Sequence, residues 1–369
     1  MLATYFFKQS YRYILKPVLF LFDPELIHNL FVWAGELFGR FGFARDLTAR
    51  FFKYSHASLH QNILDIDFPN PIGLAAGFDK DARLMNILPA VGFGFEEIGS
   101  ITGEHCPGNP GKRLWRLPKS KAIRVFYGLK NPGAETIARK LCNRHFDFPI
   151  GISIAKTNNE ATVEPMAGIA DYVKAFKLLH DIGDYVTINI SCPNAFGGEP
   201  FTDPTSLDRL LAAIDQVETK KPVFLKITPD LSESELDEVV RVCDQHRVQG
   251  FITSNLLKNT SGFAPGEIPD ESKGGFGGRP TFEPSNKQIG YLYRKYGDRY
   301  TIMGCGGVFS AEDAYEKIKQ GATLVQLITG MIFEGPQVIG EINRGLVELL
   351  KRDGYKSISE AIGSGNRRG

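Results

Sequence analysis

The stretch that decides the fold is VTINISCPNA, Val186–Ala195. It opens as an apolar, β-branched run, the composition of a buried strand. It closes in a polar cluster of Asn189, Ser191, Cys192 and Asn194, with Pro193 among them. A strand that is apolar along its length and polar only at its end delivers functional groups to one point. That is how a parallel barrel builds its sites.

Working outward, seven further strand-like runs are spaced along the chain: Pro71–Ala76, Phe95–Thr102, Pro149–Ala155, Pro222–Thr228, Gly250–Asn255, Tyr300–Gly304 and Leu324–Thr329. With Val186–Ser191 they make eight. Amphipathic helical segments alternate with them: Asp81–Val91, Gly133–Asn143, Met166–Ile182, Ser206–Glu218, Ser232–His246, Pro284–Tyr296, Ala311–Gln320 and Pro336–Arg352. Eight βα units predict an α/β fold, a closed (β/α)8 TIM barrel. An open doubly wound sheet would want fewer strands and a GxGxxG after the first; the first here runs into Ala75-Ala76-Gly77-Phe78-Asp79-Lys80. The chain divides into an N-terminal helical extension (1–50), the barrel (51–355) and a tail (356–369) whose Gly/Ser-rich end, Gly363–Gly369, is expected to fray.

The 369 residues are 43% hydrophobic and 23% charged, with a net charge of +1. That is ordinary globular composition and offers nothing to a nucleic acid. Five cysteines, an odd number with no CxxC pair, argue against a disulfide framework or a structural zinc site, so no metal is expected and a reducing cytosol is the simpler setting.

The N-terminus differs from the rest. Lys8, Arg12 and Lys16 are spaced by four, so on a helix they share a face, with no acid among the first 22 residues. Tyr5, Phe6, Phe7, Tyr11, Tyr13 and Ile14 surround them. Asp23-Pro24-Glu25 reads as a helix start, and Leu26, Ile27, Leu30, Phe31, Ala34, Leu37, Phe38 and Phe41 follow at helical spacing. The result is a helical hairpin with a wide apolar face and a basic edge. It is too short in apolar length to span a bilayer. Two readings stand: attachment to a membrane surface, or a cap packed on the barrel.

Polar residues should collect where barrel strands end, and they do. The first strand ends at Gly77 and Lys80, the second at Ser100 and Thr102, the fifth at Lys226, the sixth at Ser254 and Asn255. The seventh runs into Gly304-Cys305-Gly306-Gly307 and the eighth into Thr329 and Gly330, the usual phosphate-binding corner of barrels. A lysine inside VFLKIT must be ion-paired or face a ligand. The Gly274–Gly278 run is either a flexible lid or a place where backbone approaches a flat ligand. Cys192 is either a small buried apolar residue or a nucleophile or base. In the second case a modest downward shift from about 8.5 would supply thiolate at neutral pH.

The assembled motifs resemble dihydroorotate dehydrogenase. They are NPIGLAAGFDKD (Asn70–Asp81), GFGFEEIGSIT (Gly92–Thr102), PGNPGKRLWRL (Pro107–Leu117), INISCPN (Ile188–Asn194), LKITPDLSE (Leu225–Glu233), GGFGGRP (Gly274–Pro280) and GCGGVFSAEDAYEKIKQGA (Gly304–Ala322). FDPELIHNL resembles the helical hairpin of that family's membrane-associated, quinone-using branch. The resemblance implies oxidation of dihydroorotate to orotate in pyrimidine synthesis, with a base taking the C5 proton, a hydride leaving C6 for FMN, and electrons passing to a quinone. It implies FMN contacts from Ala76, Gly77, Lys80, Ser100, Ser153, Asn189, Lys226, Ser254, Gly278, Gly307, Thr329 and Gly330. Substrate contacts would come from Lys80, Asn189, Asn194 and Asn255, the base would be Cys192, and His28 and Arg116 would line the quinone path. It also implies a peripheral protein on the cytoplasmic face of the cell membrane.

The chain departs from the branch pattern at several positions. Cys192 stands where the membrane branch has Ser and the soluble branches have Cys. Val125 stands at an expected substrate-binding Asn, Ser153 at an Asn, Leu256 at a Thr and Ile328 at a Tyr. Each lost polar partner is worth roughly 1–3 kcal/mol. An alternative is therefore a related FMN barrel acting on another dihydropyrimidine or enone-type substrate.

Overall fold

The computed structural model describes residues 2–194, 197–268 and 273–366, with backbone alone for 2–5. Eight parallel strands close into a barrel: β1 (Ile72–Leu74), β2 (Phe95–Ile101), β3 (Ile150–Ile154), β4 (Tyr185–Asn189), β5 (Val223–Ile227), β6 (Gly250–Thr253), β7 (Thr301–Cys305) and β8 (Leu324–Leu327). They follow sequence order around the barrel, and β8 closes on β1 by pairing Val325 with Ile72. Each lies on one of the eight expected runs. β2 to β5 are buried at every position, which is why they read as apolar runs without alternation.

The floor of the barrel is filled by Phe68, Phe95, Tyr185, Phe224, Ile252, Met303 and Leu324. A hairpin of Gln61–Ile63 and Ile66–Phe68 sends Phe68 into that layer. The closed floor leaves the C-terminal ends of the strands as the face where a site can form.

Between β1 and β2 the expected helix Asp81–Val91 is reduced to Leu88–Val91. Ala82 adopts φ +54°, which a right-handed helix cannot contain. Asp79 Oδ2 instead accepts hydrogen bonds from the amides of Arg83 and Leu84, both at 2.6 Å, and holds the segment as a turn. The remaining barrel helices lie where the sequence placed them. The one before β6, Glu233–Cys243, opens with a reciprocal Ser232–Glu235 capping box.

A small antiparallel sheet of Leu114–Leu117, Ala122–Val125 and Gly275–Gly278 stands beside the mouth. Its third strand corrects the lid reading of the glycine run. Gly274 has φ +88°, and a Cβ there would meet Val125 O at 2.2 Å. Close backbone approach explains Gly274 and likewise Gly278, whose Cβ would meet Lys121 O at 2.4 Å.

The N-terminal helices run from Leu2–Ser10 through a π-helical turn, Tyr11–Leu15, into Lys16–Phe20, and return as Pro24–Gly39 and Gly42–Phe52. Asp23 caps Pro24–Gly39, accepting from the amides of Glu25 and Leu26 at 2.9 and 3.0 Å. The basic edge turns inward. Lys8 pairs with Glu341 at 2.8 Å, Lys16 donates to Phe333 O at 3.1 Å, and the Tyr11 hydroxyl donates to Ile332 O at 2.7 Å. Two of the three cations of the basic edge, Lys8 and Lys16, are therefore clamps onto the barrel domain.

The tail is also tied down. Gly363 N donates to Ile318 O and Gly365 N to Lys319 O, both at 3.0 Å, and the Asn366 amide donates to Gly290 O at 2.7 Å. The expected fraying fails through Asn366, because these bonds satisfy the backbone against the helices Phe282–Tyr296 and Ala311–Gln320. Residues 367–369 lie outside the described residues.

Candidate active site

β4 ends at Asn189, opposite Lys226 of β5 in the parallel register. From this pair a polar network spreads across the mouth. The Asn189 amide donates to Ser100 Oγ at 2.8 Å, and Ser100 touches Ser153 Oγ at 2.7 Å. The Asn255 amide donates to Asn189 Oδ1 at 3.0 Å and to Ser191 Oγ at 3.1 Å. Ser191 in turn donates to Lys226 O at 2.9 Å. Each carboxamide is thus fixed by its neighbours.

Two cavities open on this network. The larger, about 270 Å³, is lined by Ala76, Gly77, Lys80, Ser100, Asn189, Cys192, Asn194, Lys226, Asn255 and Thr329. It continues between the N-terminal helices, where His28, Arg116, Tyr11, Phe20 and Phe31 form its walls. The smaller, about 90 Å³, lies against the ends of β6 to β8 and is lined by Ser254, Gly278, Gly306, Gly307, Thr329 and Gly330, with Lys226 and Ala76 shared. Every expected site residue except Ser153 faces one of the two. Ser153 is fully buried one hydrogen bond behind the wall, reaching the site through Ser100.

The smaller cavity is walled largely by backbone that only glycine permits. Gly278, Gly306 and Gly307 have φ of +114°, +109° and +75°, and a Cβ on any of them would fall 2.4 Å from another atom. Only glycine opens the backbone there. Ser254 Oγ is buried with no hydrogen-bond partner among the described residues. Asn194 Oδ1 and Tyr127 Oη are likewise unpartnered at the larger cavity. Buried polar atoms left open at a cavity wall are groups awaiting a ligand.

Lys226 combines the two roles weighed from the sequence. Its ammonium is buried and meets Glu97 Oε1 at 3.2 Å, yet it lines both cavities. Burial opposes its charge most strongly, but the Glu97 carboxylate, Cys305 and Cys192 together hold its pKa above the ordinary lysine value. Glu97 was not singled out from the sequence. It points into the barrel from β2 and also accepts from Thr187 Oγ1 at 2.9 Å and the Gln326 amide at 3.2 Å. Two acids in the apolar run FEEIGSI were the available signal, since a charge inside a buried strand needs a partner.

Cys192 faces the larger cavity, but its acidity differs from expectation. Burial pushes the thiol up to about 11, and Glu199 adds to the rise. The Asn194 amide and Lys156 oppose it without reversing it.

Lys80 sits at the junction of barrel and hairpin. Its Nζ lies 3.1 Å from His28 Nε2, 3.3 Å from Gly77 O and 4.1 Å from the centre of the Tyr127 ring. Burial lowers its pKa to about 8. Arg116 donates to Phe22 O at 2.7 Å and lies over the Phe20 ring. Arg113 pairs with Glu25, which anchors the start of Pro24–Gly39 to the small sheet. Val125, Leu256 and Ile328 line the larger cavity as apolar wall.

A family model described as dihydroorotate dehydrogenase matches residues 58–350. Two similar relatives, from Nocardia farcinica and Trichodesmium erythraeum, are each named dihydroorotate dehydrogenase (quinone). The first is 37% identical over 360 residues, covering 96% of this chain and 97% of its own length. The second is 33% identical over 378 residues, covering 97% and 99%. Among solved structures, ligand-free DHODH from Eimeria tenella has a TM-score of 0.82 at 27% identity, covering 94% of this chain and 100% of that one. The complex of DHODH with ferulenol from the same organism gives 0.78 at 26% identity, covering 94% and 96%. The chain belongs to the dihydroorotate dehydrogenase family, on the side of its quinone-using members.

Proposed function

We propose that this protein oxidises dihydroorotate to orotate with FMN and passes the electrons to a quinone. The observation that carries the reading is convergence: Lys80, Asn189, Cys192, Asn194 and Asn255 meet in one cavity that continues between the N-terminal helices. The residues present fit FMN. The glycine cradle with Ser254 suits its phosphate, and the Lys226 ammonium, shared by both cavities, suits the electron-rich edge of its ring. Bound flavin supplies two-electron acceptor chemistry, which no side chain here provides.

The chain's own residues do the rest. Asn189, Asn194 and Asn255 each donate and accept, matching the alternating groups of a dihydropyrimidine ring. The Lys80 ammonium holds the substrate carboxylate. Cys192 Sγ takes the C5 proton as base. Since burial raises its thiol to about 11, the resting form is the protonated one, and the reactive fraction grows as pH rises. Lys226, fixed by Glu97, stabilises negative charge that develops beside it. His28 and Arg116 line the branch that admits the quinone.

Attachment to the cytoplasmic face of the cell membrane completes the reading. Sixteen of the twenty exposed large apolar side chains among the described residues lie between Phe6 and Phe51, with Leu21 at 83% and Phe43 at 73% exposure. No helix among the described residues is long and apolar enough to cross a membrane. An amphipathic surface of this kind lies in the interface plane. The apolar wall of Val125 and Leu256 favours a second reading, a related dihydropyrimidine or enone-type substrate with fewer polar groups. Release of FMN on denaturation, followed by a comparison of quinone-coupled oxidation of dihydroorotate and of uncharged dihydropyrimidines, tests both. Turnover of dihydroorotate supports the first reading, and turnover of the uncharged analogues alone supports the second.

A further inference from the structure

Behind the Lys80 loop, three buried carboxyl oxygens have no donor. Asp79 is 1% exposed and Glu96, on the outward face of β2, is fully buried. Asp79 Oδ1 and both oxygens of Glu96 lack a hydrogen-bond partner among the described residues. Asp79 Oδ2, by contrast, accepts the Arg83 and Leu84 amides at 2.6 Å. The two carboxyl groups lie within hydrogen-bond contact of each other. Ionised carboxylates only accept, so two of them touching in a buried site need a proton between them.

We propose that Asp79 and Glu96 share one proton, neutral Glu96 donating to Asp79 Oδ1, and that this bond positions the loop carrying Gly77 and Lys80. The proton resides on Glu96 for a physical reason. Burial, then the Asp79 charge, pushes Glu96 well above the usual carboxylate range. Burial raises Asp79 too, but its two amide bonds and Lys140 favour its charged form. The loop is built on this residue. Asp79 O accepts from Gly99 N at 3.1 Å, and Gly77 N donates back to Gly99 O at 2.7 Å. The other charged groups around the pair are accounted for. Lys140 donates to Asp81 O at 2.6 Å, Arg83 pairs with Glu36, and Lys80 turns to His28.

The test has two arms on the full-length holoprotein. The first needs no view of function. In the unfolded chain both carboxyls are ionised above about pH 6, so folding takes up one proton. This site's stabilisation is present at low pH and is lost as pH rises through the raised Glu96 value. It makes the unfolding constant grow about tenfold per pH unit. Glu96→Gln keeps the donor without the proton, so its unfolding constant should lack the tenfold dependence that the wild type shows from about pH 6 up to the raised Glu96 value. Equal pH slopes in the two proteins would overturn the shared proton.

The second arm rests on the proposed role of Lys80. Glu96→Leu should raise the KM for dihydroorotate about tenfold with kcat within about twofold, while Glu96→Gln stays near wild type in both. A Leu variant with wild-type KM would overturn the positioning role. Should the Leu variant not fold, Glu96→Ala replaces it; a raised KM with kcat within about twofold is expected, and a wild-type KM would overturn the positioning role.

Discussion

Lys80 Nζ lies 3.1 Å from Nε2 of His28, joining the barrel mouth to the N-terminal helices by one side-chain contact. Burial, reinforced by the Lys80 charge, pushes His28 down to about 2, so the imidazole is neutral and accepts from the ammonium. The two halves of the cavity are therefore chemically distinct but touching. Replacing His28 by Ala should leave the rate of flavin reduction by dihydroorotate within about threefold and slow reoxidation by a quinone about tenfold or more. Rapid-mixing measurements of the two half-reactions separate these effects.

Lys80 sets a pH dependence for substrate affinity. Burial lowers Lys80 to about 8, and the ammonium is present below that value. Orotate affinity should hold up to about pH 8 and then weaken, approaching tenfold per further pH unit. Titration of the flavin absorbance with orotate measures this. Lys80→Met should remove the dependence together with most of the affinity.

Cys192 carries the opposite sign. A base must be deprotonated, and burial raises this thiol to about 11, so flavin reduction should accelerate with pH across the neutral and alkaline range. Cys192→Ala should lower the reduction rate by about a thousandfold or more, and Cys192→Ser should keep some activity with its optimum moved upward. Stopped-flow reduction across a pH series checks all three. Wild-type-like reduction by the Ala variant would assign the base elsewhere.

Val125 and Leu256 place apolar groups on the wall of a site built to bind a polar ring. Val125→Asn combined with Leu256→Thr should lower the KM for dihydroorotate roughly tenfold, the size of one recovered hydrogen bond. Steady-state kinetics with a quinone acceptor are sufficient. An unchanged KM would mean that the wall does not touch the substrate.

Leu21 and Phe43 stand free on the N-terminal helices at 83% and 73% exposure. Leu21→Glu with Phe43→Glu should lower partitioning onto anionic lipid vesicles at least tenfold and leave flavin reduction unchanged. Co-sedimentation reads the first and stopped-flow the second. Undiminished vesicle binding would mean that these helices serve the barrel alone.

The barrel was legible because its strands are buried on both faces and end in polar residues, as Val186–Ser191 does before Cys192. The site followed, since strand-end residues of a closed barrel must converge. What stayed hidden depended on contacts distant in sequence. Asp81–Val91 has helical spacing, yet Asp79 and the positive φ of Ala82 turn most of it into loop. Lys8 and Lys16 share one helical face by spacing, but that spacing does not report that Glu341 and Phe333 O lie within reach. The thiol of Cys192 has polar neighbours in sequence, but its acidity is set by burial, which spacing does not report. Glu97 was readable as a buried charge, though not its partner Lys226, more than a hundred residues away.

Dihydroorotate bound beside Cys192 and Lys226 should reduce the flavin directly. Anaerobic stopped-flow mixing of the purified holoprotein with dihydroorotate, followed by absorbance, tests it without quinone or membrane. Full bleaching of the flavin band in a single turnover is expected, with orotate formed in equal amount. Absence of bleaching at millimolar dihydroorotate, in protein whose flavin is still reduced by dithionite, would contradict it.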